Sequence, residues 1–287
     1  MATGKIPTND TSFKKITNMA EITKRVERII PGNFDNKIQY LIYLRHLFAY
    51  EYALSFMQDN ANVLEVGCGE GYGTFFLSKH AKKVTGIDVD EDSILDARKK
   101  YEGNNCSFQK YDGFTIPFDD SSFDLIVSFQ VIEHVQNVDR YLKEIKRVLK
   151  PGGTFLLTTP NRHYRLKPGQ KPWNSFHLRE YLPEELEKEL KNIFDDAKII
   201  GIRAQEEIQK IEFERVKKYR DAPSFSLKKL IPESLKKWIA HRILRLKKNK
   251  PNNSQNAFMD LYSTKDFYTI SSNLKEESID LLGICKK

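Results

Sequence analysis

The chain has 287 residues, 40% of them hydrophobic and 30% charged, and carries a formal net charge of +8. This length and balance fit a soluble globular protein with a full core, and no apolar run approaches the length of a bilayer span. The excess charge is confined to residues 224–250, where nine Lys and Arg stand against the single acid Glu233, so a basic surface belongs to one segment rather than to the fold.

Residues 1–20 are polar and aperiodic. A helix is expected over 19–30, stopped by Pro31 and Gly32, and a second over 37–57 with an aromatic-rich face of Tyr40, Tyr43, Leu44, Leu47, Phe48, Tyr50 and Leu54. Those rings either pack on the domain that follows or form a lid over its ligand, with Tyr50 or His46 reaching in. Strand and helix then alternate. Strands are expected at 62–66, 83–88, 107–110, 123–129, 154–159 and 197–202. Helices are expected at 72–80, 92–101, 138–149 and 183–194, the last opened by Pro183. This βαβ alternation predicts an open parallel sheet with helices on both faces. From Gln205 the rhythm breaks into a charged helix over 206–220, the basic window and a polar linker at 249–256. The run 278–285 (SIDLLGIC) reads as one more strand that rejoins the sheet. The resulting organisation is an N-terminal helical cap (1–58), a core (59–204), a basic helical insertion (205–262) and a C-terminal strand completing the core sheet (263–287).

Residues 63–73 (VLEVGCGEGYG) organise the rest. A short apolar strand runs into a turn with glycines at 67, 69, 71 and 73, then into a helix. Glycines there allow positive φ and close backbone approach, and the exposed N–H groups with the helix dipole favour a carboxylate or phosphate. Three acids fall at expected strand ends: Glu65, Asp88 and Asp112. An open parallel sheet binds its ligands there, and carboxylates suit ribose hydroxyls and an exocyclic amine. A dinucleotide loop would need its third glycine where Tyr72 stands. Glu65 would also repel a pyrophosphate and welcome an amino group. Cys68 inside the loop reads as a small side chain at a close turn rather than a nucleophile. Cys68, Cys106 and Cys285 are far apart and odd in number, which fits a reducing compartment. The first residues lack the apolar core of a secretory signal, so a cytoplasmic location is expected. No His, Asp or Cys set has zinc spacing, and no metal is expected.

Residues 63–73, 86–88 (GID), 113–124 (GFTIPFDDSSFD), 131–135 (VIEHV) and 149–153 (LKPGG) resemble the successive motifs of class I S-adenosylmethionine-dependent methyltransferases, in the type 11 group. The match is ordered and correctly spaced over about residues 60–203. It implies a Rossmann-like, seven-stranded, mostly parallel α/β sheet in the order 3-2-1-4-5-7-6, its last strand antiparallel, with S-adenosyl-L-methionine as cofactor. It also implies that Glu65, Gly67 and Gly69 line the methionine end, together with Cys68, Gly71 and Tyr72 of the same loop and Tyr50 from the cap. Asp88, with Val89 beside it, holds the ribose hydroxyls. Asp112, Gly113 and Phe114 face the adenine, and Phe129 and Gln130 lie next to the sulfonium and the acceptor. A narrower likeness extends outward through residues 27–32, 46–50, 158–161 (TTPN) and 174–181 (NSFHLREY). These are similar to bacterial members that accompany polysaccharide or glycolipid biosynthesis. Ala49 departs from them, since such members commonly have arginine before the tyrosine, which leaves Arg28 or Arg45 as substitutes.

Methyl transfer to a hydroxyl profits from a base, and His is the usual choice near neutral pH. His134, just past the fourth strand, and His177, in the loop after the fifth, are the candidates, with His163 third; a capping or packing role is the alternative for each. In the basic window, Leu230, Ile231, Leu235, Trp238, Ile239, Ile243 and Leu246 recur at helical spacing after a start or kink at Pro232. Such a helix either lies peripherally on an anionic membrane at its cytoplasmic face or packs as a cap with its lysines solvated. Nucleic acid is the weakest partner, because the Asn-Pro-Pro-Tyr type sequence is absent after the fourth strand. The expected function is O-methylation of a sugar or glycan intermediate, a small-molecule or glycolipid substrate. The alternatives are a quinone or natural-product precursor as acceptor, or a non-catalytic cofactor-binding module.

Overall fold

The computed structural model describes residues 31, 32, 34, 36–221 and 258–287. The helix expected over 19–30, Arg28 and the basic window 224–250 lie outside the described residues.

Helix α1 (Lys37–Leu54) opens at Asn36, whose side chain accepts from the Gln39 N–H at 3.1 Å. The core then runs β1 (Asn62–Val66), α2 (Tyr72–Ser78), β2 (Lys83–Asp88), α3 (Glu91–Tyr101), β3 (Cys106–Lys110) and β4 (Phe123–Phe129). A 3-10 turn at Ile132–His134 leads to α4 (Val138–Val148), β5 (Leu149–Pro160) and the short α5 (Arg162–Arg165). Next come α6 (Pro183–Lys191), β6 (Asp196–Ala204), α7 (Glu206–Arg220), β7 (Phe267–Ile270), α8 (Leu274–Glu277) and β8 (Asp280–Lys286).

Among the described residues the sheet has eight strands in the order β3-β2-β1-β4-β5-β8-β6-β7. Strands β3 to β5 pair in parallel, and β8 runs antiparallel to both β5 and β6. The C-terminal strand therefore takes the seventh-strand place expected for it. The difference is β7, a four-residue antiparallel edge strand on β6. Its FYTI sequence buries Phe267 alone, too brief a pattern to read as a strand. Strand β5 also begins earlier than expected, because the LKPGG stretch leaves α4 directly into sheet pairing: Leu149 sits opposite Phe123, and the Gly152 N–H donates to the Lys287 carbonyl at 2.7 Å.

Alternate residues of each strand feed two separate layers. Along β5, Leu156 joins a core built with α1, α2 and α7 (Leu44, Leu77, Ile208), while Phe155 and Leu157 join one built with α4 and α6 (Leu142, Ile145, Leu186). Helix α4 shows why it folds there. Val138, Tyr141, Leu142, Ile145 and Val148 recur at three and four residues and are all buried, each aliphatic one contributing about 1.5–3 kcal/mol. This two-sided burial leaves the carboxyl ends of β1 to β5 to be finished by loops, and those loops hold the expected site residues.

Candidate active site

Past β1 the chain turns back on β2. The N–H groups of Gly67 and Cys68 both donate to the Ile87 carbonyl, at 2.7 and 3.1 Å, and the Gly69 N–H donates to Asp88 Oδ2 at 2.9 Å. Asp88 Oδ1 accepts from the Asp90 N–H at 2.9 Å, so this strand-end acid ties the loop to β2. Gly69 has φ of +51°, and a Cβ there would meet nothing within 4 Å. That leaves an open, Cβ-free backbone edge of the kind a ligand cradle needs. Gly71 and Gly73 face inward instead. A Cβ on Gly71 would run into Phe108 and Ala97, and one on Gly73 into the ring of Tyr50. Helix α2 spans seven residues, and the Gly67, Cys68 and Gly69 N–H groups are already engaged by Ile87 and Asp88, so the loop offers close backbone approach at Gly69 rather than a row of free donors.

Beneath this loop lies Glu65, 1% exposed. It accepts from the Tyr50 hydroxyl at 2.5 Å and from the Thr74 hydroxyl. Burial pushes its carboxyl up to about 7, with the hydroxyl bonds opposing the shift and the Asp88 charge adding to it. Tyr50 packs edge-on against Phe129 with centroids 4.9 Å apart and against Tyr72 at 5.7 Å. Burial, then the Glu65 charge, holds its phenol far above the usual range. Cys68 is buried, and desolvation with the charges of Glu65 and Asp88 pushes its thiol well up, so it is a neutral packing group. His46 is pushed down to about 3 by burial and by Arg45, and stays neutral. Arg45 does not reach the loop. Its guanidinium pairs with Asp280 at 2.8 Å and Glu212 at 3.1 Å.

At the ends of β2 and β3, Asp112 Oδ1 accepts the N–H groups of Phe114 and Thr115, both at 2.8 Å, which holds its carboxyl below the usual range. Val89 and Phe114 are large apolar side chains left 51% and 52% exposed, and the Cβ position of Gly113 comes within 3.1 Å of Val89. Two exposed apolar groups thus stand beside two strand-end carboxylates.

At the end of β4, Phe129 is buried and Gln130 adopts φ of +59°, a left-handed conformation that costs a residue with a Cβ about 1–3 kcal/mol. The Gln130 amide donates to Thr158 Oγ1 at 3.3 Å and Asp280 Oδ2 at 3.2 Å, which holds it there. The following turn buries Glu133, whose Oε2 accepts from the Thr159 hydroxyl at 2.9 Å while Oε1 has no partner. Burial pushes this carboxyl up to about 8. His134 Nδ1 lies 2.9 Å from the Phe176 carbonyl, and His177 Nδ1 lies 2.8 Å from Glu180 Oε1. Each acceptor can only accept, so each Nδ1 carries the proton and each Nε2 a lone pair. The rings meet edge-to-face with centroids 4.8 Å apart. His163 is exposed on α5 and takes no part in this pairing.

Residues 64–157 match a family described as a methyltransferase domain. The chain carries a class I S-adenosylmethionine-dependent methyltransferase domain. It is 38% identical over 161 residues to a probable S-adenosylmethionine-dependent methyltransferase of Mycolicibacterium smegmatis, covering 56% of this chain and 60% of that one. It is 35% identical over 107 residues to a ubiquinone biosynthesis O-methyltransferase of Coxiella burnetii, covering 36% of this chain and 45% of that one. The chain thus spans less than two thirds of the length of either relative. A solved S-adenosylmethionine-dependent methyltransferase of Thermotoga maritima superposes with a TM-score of 0.52 at 18% identity, covering 85% of this chain and 92% of that one, and shares the fold.

Within this methyltransferase domain the sequence signals find the glycine loop and the strand-end acids but pass over four residues. Thr74 on α2 binds Glu65, Glu133 sits buried under His134, Glu180 fixes the tautomer of His177, and Arg165 holds Glu180 at 3.1 Å. Only the three-residue spacing of His177 and Glu180 could have signalled any of them.

Proposed function

We propose that the protein uses S-adenosylmethionine to methylate a hydroxyl of a small-molecule or saccharide acceptor. In this reading the cofactor lies across the carboxyl ends of β1 to β3. The open edge at Gly69, beside Gly67 packed on Val131, takes the methionine carboxylate, and Glu65 and Tyr50 form the floor beneath its ammonium. Asp88 takes the ribose hydroxyls, and the exposed Val89 and Phe114 flank the adenine beside Asp112 and Gly113. A buried carboxyl held near 7 is the partner an ammonium stabilises, and paired apolar side chains left in water are what a base plane would cover. Bound there, the cofactor offers an electrophilic methyl group whose transfer to oxygen releases the hydroxyl proton. Tyr50, Phe129 and Gln130 position the reactants and exclude water, which supplies much of the rate in an in-line displacement.

The hydroxyl reading is carried by the His134–His177 pair. Two imidazoles, each with Nδ1 bonded to an oxygen acceptor and Nε2 bearing a lone pair, stand beside the end of β4, suited to handling an acceptor proton. The similarity of residues 158–161 and 174–181 to glycan-biosynthesis members favours a sugar. The likeness to the Coxiella enzyme favours a quinone precursor as the second reading. Release of S-adenosylhomocysteine by the purified chain, measured with free sugars, lipid-linked sugars and ortho-dihydroxyphenols, decides. Saccharide-dependent release is expected. Release with phenols alone moves the assignment to the second reading. Cofactor binding without release for any hydroxyl acceptor overturns the assignment and leaves a cofactor-binding module.

We also propose a cytoplasmic protein that touches an anionic membrane through residues 224–250. Among the described residues no helix is long and apolar enough to cross a membrane. Flotation with phosphatidylglycerol vesicles, and none with phosphatidylcholine vesicles, is the expected result; no flotation with either removes the membrane contact.

A further inference from the structure

We propose that Glu133, His134 and His177 form a binding site for a divalent transition-metal cation at the acceptor end of the sheet. One carboxylate oxygen and one nitrogen from each imidazole lie within 4.8 Å of one another. Glu133 and His134 come from the turn after β4 and His177 from the loop before α6, so no local spacing announces the set.

Three observations make this a built site rather than a chance cluster. The first is an orphaned oxygen. Glu133 is 0% exposed, its Oε2 is occupied by Thr159, and its Oε1 has no hydrogen-bond partner. A buried carboxylate with one bare oxygen asks for a proton or a cation. The second is the tautomers. The Phe176 carbonyl and the Glu180 carboxylate fix the proton of each imidazole on Nδ1, and Glu180 is itself paired with Arg165 at 3.1 Å. Metal-binding histidines are oriented in this way by an outer carbonyl or carboxylate, which leaves Nε2 to the metal. The third is the join between the two segments. The N–H groups of Leu178 and Arg179 donate to the Glu133 carbonyl at 2.8 and 3.4 Å, so the loop bearing His177 is tied to the turn bearing the other two donors.

Two neutral imidazoles and one carboxylate suit Zn, Fe, Mn or Co and leave positions open for water or an acceptor oxygen. Bonds of about 2.1 Å put tetrahedral ligand atoms roughly 3.4 Å apart, so from a spread of 4.8 Å the set closes by up to about 1.4 Å on binding. The cation compensates Glu133, on which Arg165 acts only through its charge while its guanidinium is paired with Glu180. A coordinated hydroxyl loses its proton more readily, so the cation takes the place of a histidine base; this catalytic consequence rests on the O-methylation reading, and the metal site itself does not.

The test reads metal without turnover. Chelator-stripped full-length protein is dialysed separately against Zn²⁺, Mn²⁺ and Co²⁺, and bound metal is counted by mass spectrometry alongside S-adenosylhomocysteine affinity. One equivalent of at least one metal in the wild type is expected. Both Glu133→Gln and His177→Ala should bind it at least tenfold more weakly while keeping S-adenosylhomocysteine affinity, which shows that they fold. If one variant loses both, the other decides, and His177→Asn replaces it should both fail. No stoichiometric metal in the wild type, or unchanged metal affinity in folded variants, overturns the site.

Discussion

Glu65 is buried beside Asp88, and burial first, then the Asp88 charge, raise its carboxyl against the opposing Thr74 and Tyr50 hydroxyl bonds, so it titrates at about 7 instead of its ordinary 4.5. Between those two values the folded protein holds a proton that the unfolded chain has released. Stability from this group is therefore full below pH 4.5, falls as pH rises to about 7 and is flat beyond. Thermal unfolding of Glu65→Gln relative to wild type should show it: the wild type loses ground between pH 5 and pH 8, and the variant lacks that component. Equal pH slopes for the two proteins would refute it. If Glu65 lies beneath the cofactor's ammonium as proposed, the same group links proton release to cofactor binding, because an ammonium favours the ionised form. Titration of S-adenosylhomocysteine near pH 6.5, in two buffers of different ionisation enthalpy, should show protons released by wild type and fewer by Glu65→Gln. Glu65, Asp88 and Asp112 were legible in the sequence because a strand end fixes where an acid stands. Their partners were not: Thr74 beneath Glu65, and Glu180 beside His177, depend on how two segments meet, which no local period encodes.

Helices α1 and α2 approach so closely that Gly73 touches the Tyr50 ring, and a methyl group there has no room. Gly73→Ala should cost about 1–3 kcal/mol as an overpacked contact. It should also weaken S-adenosylhomocysteine binding, because displacing Tyr50 releases its hydrogen bond to Glu65. Urea unfolding and calorimetry on one sample check both; an unchanged midpoint would mean that α1 is free to shift. A second joint lies where α1 meets α7 and β8. Arg45 is 6% exposed between Glu212 and Asp280, and its 2.8 Å approach to Asp280 is off-line for a hydrogen bond, so charge rather than hydrogen bonding carries that contact. Arg45→Ala strands two buried carboxylates, of which only Glu212 keeps a cationic partner, Arg215. A loss of about 3–5 kcal/mol is expected in denaturant unfolding; a loss below 1 kcal/mol would show that water enters and solvates the pair. Periodicity had found these elements, with α7 read at its observed limits. The family resemblance had left Arg45 as a candidate near the cofactor, and a helical position alone could not correct it, since it says which residues share a face but not what that face meets.

At the scale of the described molecule the decisive feature is that β8, which follows every other strand in sequence, lies inside the sheet rather than at its edge. Strand β8 pairs with β5 from Thr154 opposite Lys286 to Pro160 opposite Asp280, and with β6 from Asp196 opposite Lys286 to Ile202 opposite Asp280. The parallel half of the sheet could be read from βαβ rhythm, whereas the place of β8 came from family resemblance, because no local rule sends a strand back between two others. Its placement makes β6, β7 and α7 depend on a strand that follows all of them in sequence. Removing residues 279–287 would delete Ile279, Leu281 and Leu282, each buried and worth about 1.5–3 kcal/mol, against a domain stability of about 5–15 kcal/mol. It would also open two strand edges along their full length and take Asp280 from Arg45 and Gln130. The truncated chain should show no cooperative thermal transition and no S-adenosylhomocysteine binding, although residues 62–160, with every expected cofactor contact of the core, remain. Removing Lys287 alone keeps all paired residues of β8 and should retain both. A cooperative transition in the truncated chain, with cofactor affinity intact, would show that the five parallel strands fold on their own and that β8 is a later addition to a complete domain.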